Sequence, residues 1–183
     1  MATEKVKLGL IGLGSWGKNI LRNLNGLGVL YRACDTDPSI LSERGTHYTD
    51  IDFTPTPDEI INCHEIEAVA IATPASTHYR LVKESLLAGK DVFVEKPLAM
   101  TVREGEELVA IAEREGRIVM VGHILHYHRA VIKLKEIISK GSYVCLYKAT
   151  CQFAAERMLL VEGRPLNVSW RMAYKHQVSI YVQ

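Results

Sequence analysis

Short apolar runs alternate along the chain with longer stretches whose apolar residues recur at helical spacing. The run from Lys5 to Ile11 leads into Gly12-Leu13-Gly14-Ser15-Trp16-Gly17, and a helical stretch follows to about Leu27. Val29 to Cys34 is a second strand-like run that ends at Asp35. Short helices are predicted over Pro38–Arg44 and Asp58–Cys63. Ala68 to Ala72 is apolar throughout and of strand length, the pattern of a strand buried on both faces. Beyond it Tyr79, Val82 and Leu86 share a helical face, with Ser76 or Thr77 as the expected cap and Gly89 as the expected stop. Asp91 to Val94 reads as a strand, and Thr101 with Glu104 forms a capping box for a helix that ends at Gly116. Ile118 to Val121 reads as a strand. A last helix is predicted from Ile124 to Lys140, with Val131, Leu134 and Ile138 on one stripe and Gly141 as its stop.

Strands that alternate with helices in this way predict βαβ units and a parallel sheet: a doubly wound, Rossmann-type α/β domain of five or six strands. The alternation ends near Gly122. The predicted organisation is therefore a Rossmann domain over 1–122 and the start of a substrate or oligomerisation domain over 123–183, truncated or aberrant in its pattern.

Composition narrows the function classes. The chain has 183 residues, 48% hydrophobic and 23% charged, which argues against global disorder. Lys plus Arg total 22 against 21 for Asp plus Glu, a net charge of +1, so a nucleic-acid partner is not expected. No apolar run approaches the ~18 residues of a membrane span. The first residues lack the features of a signal peptide, so neither a membrane partner nor export is expected. Cys34, Cys63, Cys145 and Cys151 form no Cys-x-x-Cys pair and read as reduced thiols of a cytoplasmic protein.

The glycine loop sits where a dinucleotide loop belongs, after a strand and before a helix. Gly12 permits a tight turn, Gly14 lets the backbone approach a pyrophosphate, and Gly17 lets the helix pack close to the sheet. Asp35 stands 23 residues after Gly12, near the offset of about 20 for a ribose-binding acid. A carboxylate there would repel a 2′-phosphate, which favours NAD over NADP. The competing reading of Asp35 is a strand-end cap. Asp37, before Pro38, is read as a helix cap. Ala72-Thr73-Pro74 and Glu95-Lys96-Pro97 each follow a strand, and open α/β sheets bind ligands beyond the carboxyl ends of their strands. Spacing alone leaves Lys96 between a surface ion pair and a group that polarises a hydroxyl or relays a proton. It also leaves His78 between a capping role and a functional one.

Taken together, Gly12 to Gly17, Ala72-Thr73-Pro74 with Thr77-His78, Glu95-Lys96-Pro97 and Gly122-His123 resemble the Gfo/Idh/MocA oxidoreductase family. Val121 to Leu134 is most similar to that family's nucleotide-sugar branch, the UDP-N-acetylglucosamine 3-dehydrogenases and 2-acetamido-glucuronate dehydrogenases. The resemblance covers about residues 5 to 142. It implies a hydride transfer between NAD and a ring hydroxyl carbon. Gly12, Gly14, Ser15, Trp16, Gly17, Asp35, Thr73, Pro74, His78, Glu95 and Lys96 would bind the cofactor. Lys96 would also touch the reacting hydroxyl, and His123 would line the sugar site, which makes these two the candidate catalytic residues. The resemblance further implies that the Lys96–Pro97 bond is often cis, that Arg129 stands where relatives usually have proline, and that a homodimer is to be expected.

His123, His126 and His128 do not predict a metal site, because on a helix His128 would point away from the other two and no Cys or carboxylate is close in sequence. From Tyr143 the family pattern is lost. The segment 143–183 has no Asp, five basic residues against two acidic ones, and His176 without an acidic neighbour. A shifted reading frame near residue 142 would produce such a tail. One strand is expected over Tyr143–Phe153 and a short helix over Phe153–Val161. Three functions follow: an NAD-dependent dehydrogenase, an NAD-binding chain without turnover for want of a base, or a non-catalytic redox-sensing or partner-binding module.

Overall fold

A computed structural model describes residues 5–139 and the two segments 145–146 and 160–161. Six parallel strands form one sheet in the order β3-β2-β1-β4-β5-β6. They are β1 (Leu8–Ile11), β2 (Leu30–Cys34), β3 (Asp52–Thr54), β4 (Ala68–Ile71), β5 (Asp91–Val94) and β6 (Val119–Val121). The helices are α1 (Gly17–Leu27), α2 (Pro38–His47), α3 (Pro57–Ile61), α4 (His78–Leu87) and α5 (Val102–Glu115), with α6 (Arg129–Ser139) after the last strand. This is the expected doubly wound fold. The strand order reverses between β1 and β4, so the crevice at their carboxyl ends is where such a sheet places its ligand.

The apolar run at 68–72 is the centre of the sheet. Val69, Ala70 and Ile71 of β4 are each at most 1% exposed. One core cluster gathers Leu10 and Leu13, Leu21 of α1, Leu30 and Ala33 of β2, and Ala70. Helix α4 packs on β4, β5 and α5, and buries Leu81, Val82 and Leu86.

Local signals account for several ends. Thr101 Oγ1 accepts from the Glu104 amide at 3.2 Å while Glu104 accepts from the Thr101 amide at 3.0 Å, the predicted capping box. Gly116 closes α5 in the left-handed region. Asp37 caps α2 by accepting from the Ser39 amide at 2.8 Å and its hydroxyl at 2.7 Å, and these bonds hold the Asp37 carboxyl below its ordinary range.

Several elements differ from expectation. Strand β3 was not anticipated, because three residues paired only with β2 carry no alternation of their own. Neither Ser76 nor Thr77 caps α4: Ala75–Thr77 is a 3-10 turn, and the Thr77 hydroxyl lies 2.7 Å from both Thr73 Oγ1 and the Pro74 carbonyl instead. The last helix starts at Arg129 rather than Ile124, since Ile124–Tyr127 is a separate 3-10 turn. Arg129 therefore holds the first helical position, where proline is favourable and dispensable.

By proximity the chain divides into the units Met1–Gly122 and His123–Gln183. In the second unit, Cys145–Leu146 and Leu160–Val161 pair as antiparallel β7 and β8. Leu160–Val161 is thus strand where the end of a short helix was expected. The rest of the expected strand and helix, and His176, lie outside the described residues. No helix among the described residues is long and apolar enough to cross a membrane.

Candidate functional site: a dinucleotide crevice

The loop between β1 and α1 is shaped by what its glycines exclude. Gly12 has φ +95°, a conformation other L residues rarely adopt, and a Cβ there would lie 2.7 Å from the carbonyl carbon of Ala72. A Cβ on Gly17 would run into the Gly12 carbonyl. A Cβ on Gly14 would meet nothing within 4 Å, so this stretch of backbone faces open space and offers a cradle to a ligand. Ser15 and Trp16 are exposed beside it. No side chain caps the N-terminus of α1 and its first turn holds no acidic residue, which leaves the partial positive charge there for an anion.

Asp35, half-buried at the end of β2, makes the contacts of a strand-end cap. Its Oδ2 accepts from the Leu13 amide at 2.7 Å and its Oδ1 from the Asp37 amide at 3.0 Å. Gly12 donates to the Cys34 carbonyl at 2.8 Å, so two successive loop amides are pinned to the end of β2. An ionised carboxylate has about four lone-pair sites, so acceptor capacity remains for ribose hydroxyls. Cys34 beneath is fully buried, and that burial pushes its thiol up to about 12.

The turns after β4 and β5 form the other side of the crevice. Thr73 is half-buried and Pro74 exposed. Glu95 Oε1 accepts from the Trp16 indole N–H at 2.5 Å, a tie between residues on β1's loop and β5's end that passes the end of β4. The same oxygen lies 3.0 Å from where a Cβ on Gly122 would stand. Lys96 is exposed and forms no ion pair or hydrogen bond among the described residues, so the surface ion-pair reading lacks a partner. The Lys96–Pro97 peptide is cis.

His78 departs from its expected place among cofactor-lining side chains. It is 1% exposed, and both ring nitrogens are spent on main chain: Nδ1 lies 2.7 Å from the Pro97 carbonyl oxygen and Nε2 2.8 Å from that of Thr73. It reaches the crevice only through those two turns. Spacing gave no sign of this, nor of the Trp16–Glu95 tie, since neither pairing has a periodic signature.

In the second unit, the half-buried His123 ring meets His126 edge-on, with centroids 5.9 Å apart and planes at 87°. His128 Nδ1 accepts from the Ala130 amide at 3.3 Å, at the start of α6. Among the described residues no three His, Cys, Asp or Glu side chains gather as metal ligands.

A parallel sheet of this order, with a glycine loop tied to an acid on the neighbouring strand, defines a dinucleotide-binding domain. A family model, GFO_IDH_MocA, described as an oxidoreductase family with an NAD-binding Rossmann fold, matches residues 6–123, and the chain belongs to that family. An inositol 2-dehydrogenase of Acidothermus cellulolyticus is 33% identical over 148 residues, which cover 78% of this chain and 43% of that protein. A glycosyl hydrolase family 109 protein of Shewanella amazonensis is 28% identical over 187 residues, covering 96% of this chain and 41% of that protein. The chain spans about two-fifths of the length of these relatives. The crystal structure of a myo-inositol 2-dehydrogenase from Lactobacillus plantarum has the same fold, with a TM-score of 0.71 at 24% identity over 78% of this chain and 43% of that one.

Proposed function

We propose that residues 5–122 are the NAD-binding part of a dehydrogenase that acts on a ring hydroxyl of a cyclic polyol or sugar. The observation that carries the reading is the 2.7 Å bond from the Leu13 amide to Asp35, made where the strand order reverses. It fixes the glycine loop and the ribose acid in one geometry. NAD, when bound, supplies the hydride acceptor. Gly12, Gly14 and Gly17 let the backbone approach its pyrophosphate, with Ser15 and Trp16 beside it and the N-terminus of α1 complementing its charge. Asp35 accepts from the adenosine ribose and disfavours a 2′-phosphate. Thr73, Pro74 and Glu95 shape the far end.

Lys96 is the group at β5's carboxyl end with a free ammonium. Protonated, it donates to the substrate oxygen and stabilises the negative charge that develops there as the hydroxyl proton passes to solvent and the carbinol carbon gives up its hydride. His123 stands directly after Gly122 in the chain and is the candidate for contact with the sugar. Relatives named as inositol dehydrogenases support a polyhydroxylated ring as substrate. The stretch 121–134 supports a nucleotide sugar as its particular form.

The test is absorbance at 340 nm with NAD and a panel of inositols, UDP-N-acetylglucosamine and its uronic acid, for the wild-type chain and Lys96→Ala. Whatever substrate-dependent NADH production the wild-type chain shows is expected to fall at least tenfold in Lys96→Ala with melting temperature unchanged. A Lys96→Ala chain as active as wild type would remove Lys96 from the chemistry.

A further inference from the structure

His78 is the first residue of α4, and it is buried because that helix packs against β4 and β5. Its two ring nitrogens span the turns that follow those neighbouring strands, meeting the Thr73 carbonyl on one side and the Pro97 carbonyl on the other. Both partners are backbone oxygens and offer only lone pairs. A neutral imidazole has one N–H and one lone pair, so a single tautomer makes one of these contacts a hydrogen bond and the other a meeting of lone pairs. The ring therefore spans the two turns at 2.7 and 2.8 Å, and its tautomer sets which carbonyl accepts the N–H.

We propose that His78 is a positioning residue whose ring, held between the Thr73 and Pro97 carbonyls, clasps the Thr73 turn to the Lys96–Pro97 turn and so holds Lys96 at the crevice. The inference rests on the reading of Lys96 given above. The Thr73 turn is braced a second time by the Thr77 hydroxyl at Thr73 Oγ1, and the Glu95 side by the Trp16 indole. Pro97 has no such second side-chain bond among the described residues, so the His78 bond is what sets the orientation of that carbonyl, one residue beyond Lys96. Without His78 the Thr73 and Pro97 carbonyls lose the ring that bridges them, and the two turns are no longer held to each other.

Two measurements on the full chain test this. In 1H–15N correlation spectra of the histidine-labelled protein, assigned by comparison with His78→Gln, a His78 ring N–H protected from exchange with solvent is expected. A ring N–H that exchanges as fast as that of an exposed histidine would overturn the clasp. Calorimetric NAD titration then compares wild type, His78→Gln, His78→Leu, Lys96→Ala and each double variant, with circular dichroism confirming the fold. His78→Leu is expected to weaken NAD binding about tenfold, and His78→Gln, which keeps one amide donor, by less. Lys96→Ala in the His78→Leu background is expected to add less than twofold, because the two changes remove the same positioned group. Additive losses, or His78 variants that bind NAD as wild type does, would overturn the proposal. If Lys96→Ala alone leaves NAD binding unchanged while His78→Gln weakens it, His78 does not act through Lys96 and the proposal is overturned, while the reading of Lys96 itself stands or falls on turnover at 340 nm. His78→Gln keeps the test open if His78→Leu does not fold.

Discussion

The two sides of the crevice are built by different means. On the β1–β2 side, backbone does the work: Gly12 donates to the Cys34 carbonyl, Leu13 donates to Asp35, and Gly12 and Gly17 leave out the Cβ atoms that would collide with main chain. On the β4–β5 side, side chains far apart in sequence do it: Thr77 on Thr73, His78 between Thr73 and Pro97, Trp16 on Glu95. The first design tolerates almost no substitution, because a missing hydrogen or an added carbon changes the main-chain path itself. The second is graded, since each tie contributes a part and the neighbouring ties remain.

The largest effect is expected at Gly12. Gly12→Ala forces a left-handed backbone on alanine and places its Cβ 2.7 Å from Ala72 main-chain atoms. Strain and overpacking together cost about 2–4 kcal/mol. Urea denaturation would show the loss, and NAD binding would fall with it. A variant as stable as wild type would mean that the backbone side is no more rigid than the other.

Trp16→Phe sharpens the contrast from the opposite side. It keeps the ring and removes the N–H that Glu95 accepts. The bond is charge-assisted but exposed, so its loss is expected to cost about 1 kcal/mol or less. Calorimetry should show a change in NAD affinity of severalfold at most. A hundredfold loss would show that this tie is as indispensable as the glycines.

Cys34 gives the smallest effect and reports on the packing under the loop. Burial raises its thiol from 9.0 to about 12 in the fold. The unfolded chain therefore releases that proton first as pH rises. The contribution to stability is fully present below pH 9 and is lost progressively between about 9 and about 12. At neutral pH, iodoacetamide should label the half-buried Cys63 well before Cys34, which reacts only on unfolding. Equal labelling rates in the native protein would show that the end of β2 opens readily.

The same contrast decides what could be read from the sequence. The β1–β2 side was legible because its requirements are local: a glycine spacing, an acid one strand later, a helix directly after. The Thr101–Glu104 box and Asp37 cap were legible for the same reason, each lying within four residues of its partners. Strand β3 was not, since Asp52, Phe53 and Thr54 are strand only by virtue of pairing with Arg32, Ala33 and Cys34. The split of the last helix at His128 was hidden because Ile124 and Leu125 continue an apolar pattern without being buried. His78 was placed among the cofactor-lining residues by its neighbourhood in sequence. What buries it is the packing of α4 on two strands, and what occupies its nitrogens is a carbonyl 19 residues away together with one 5 residues away.

The account stands most directly on Asp35, which holds the Leu13 amide and is proposed to bind the ribose. Calorimetric titration of the wild-type chain with NAD and with NADP, repeated on Asp35→Ala, reads both. Wild type is expected to bind NAD more tightly than NADP. Asp35→Ala is expected to lose that preference and, because the Leu13 amide is left without its acceptor, to lose about 1–3 kcal/mol of stability. Tighter binding of NADP by the wild type, or an unchanged preference for NAD in Asp35→Ala, would contradict it.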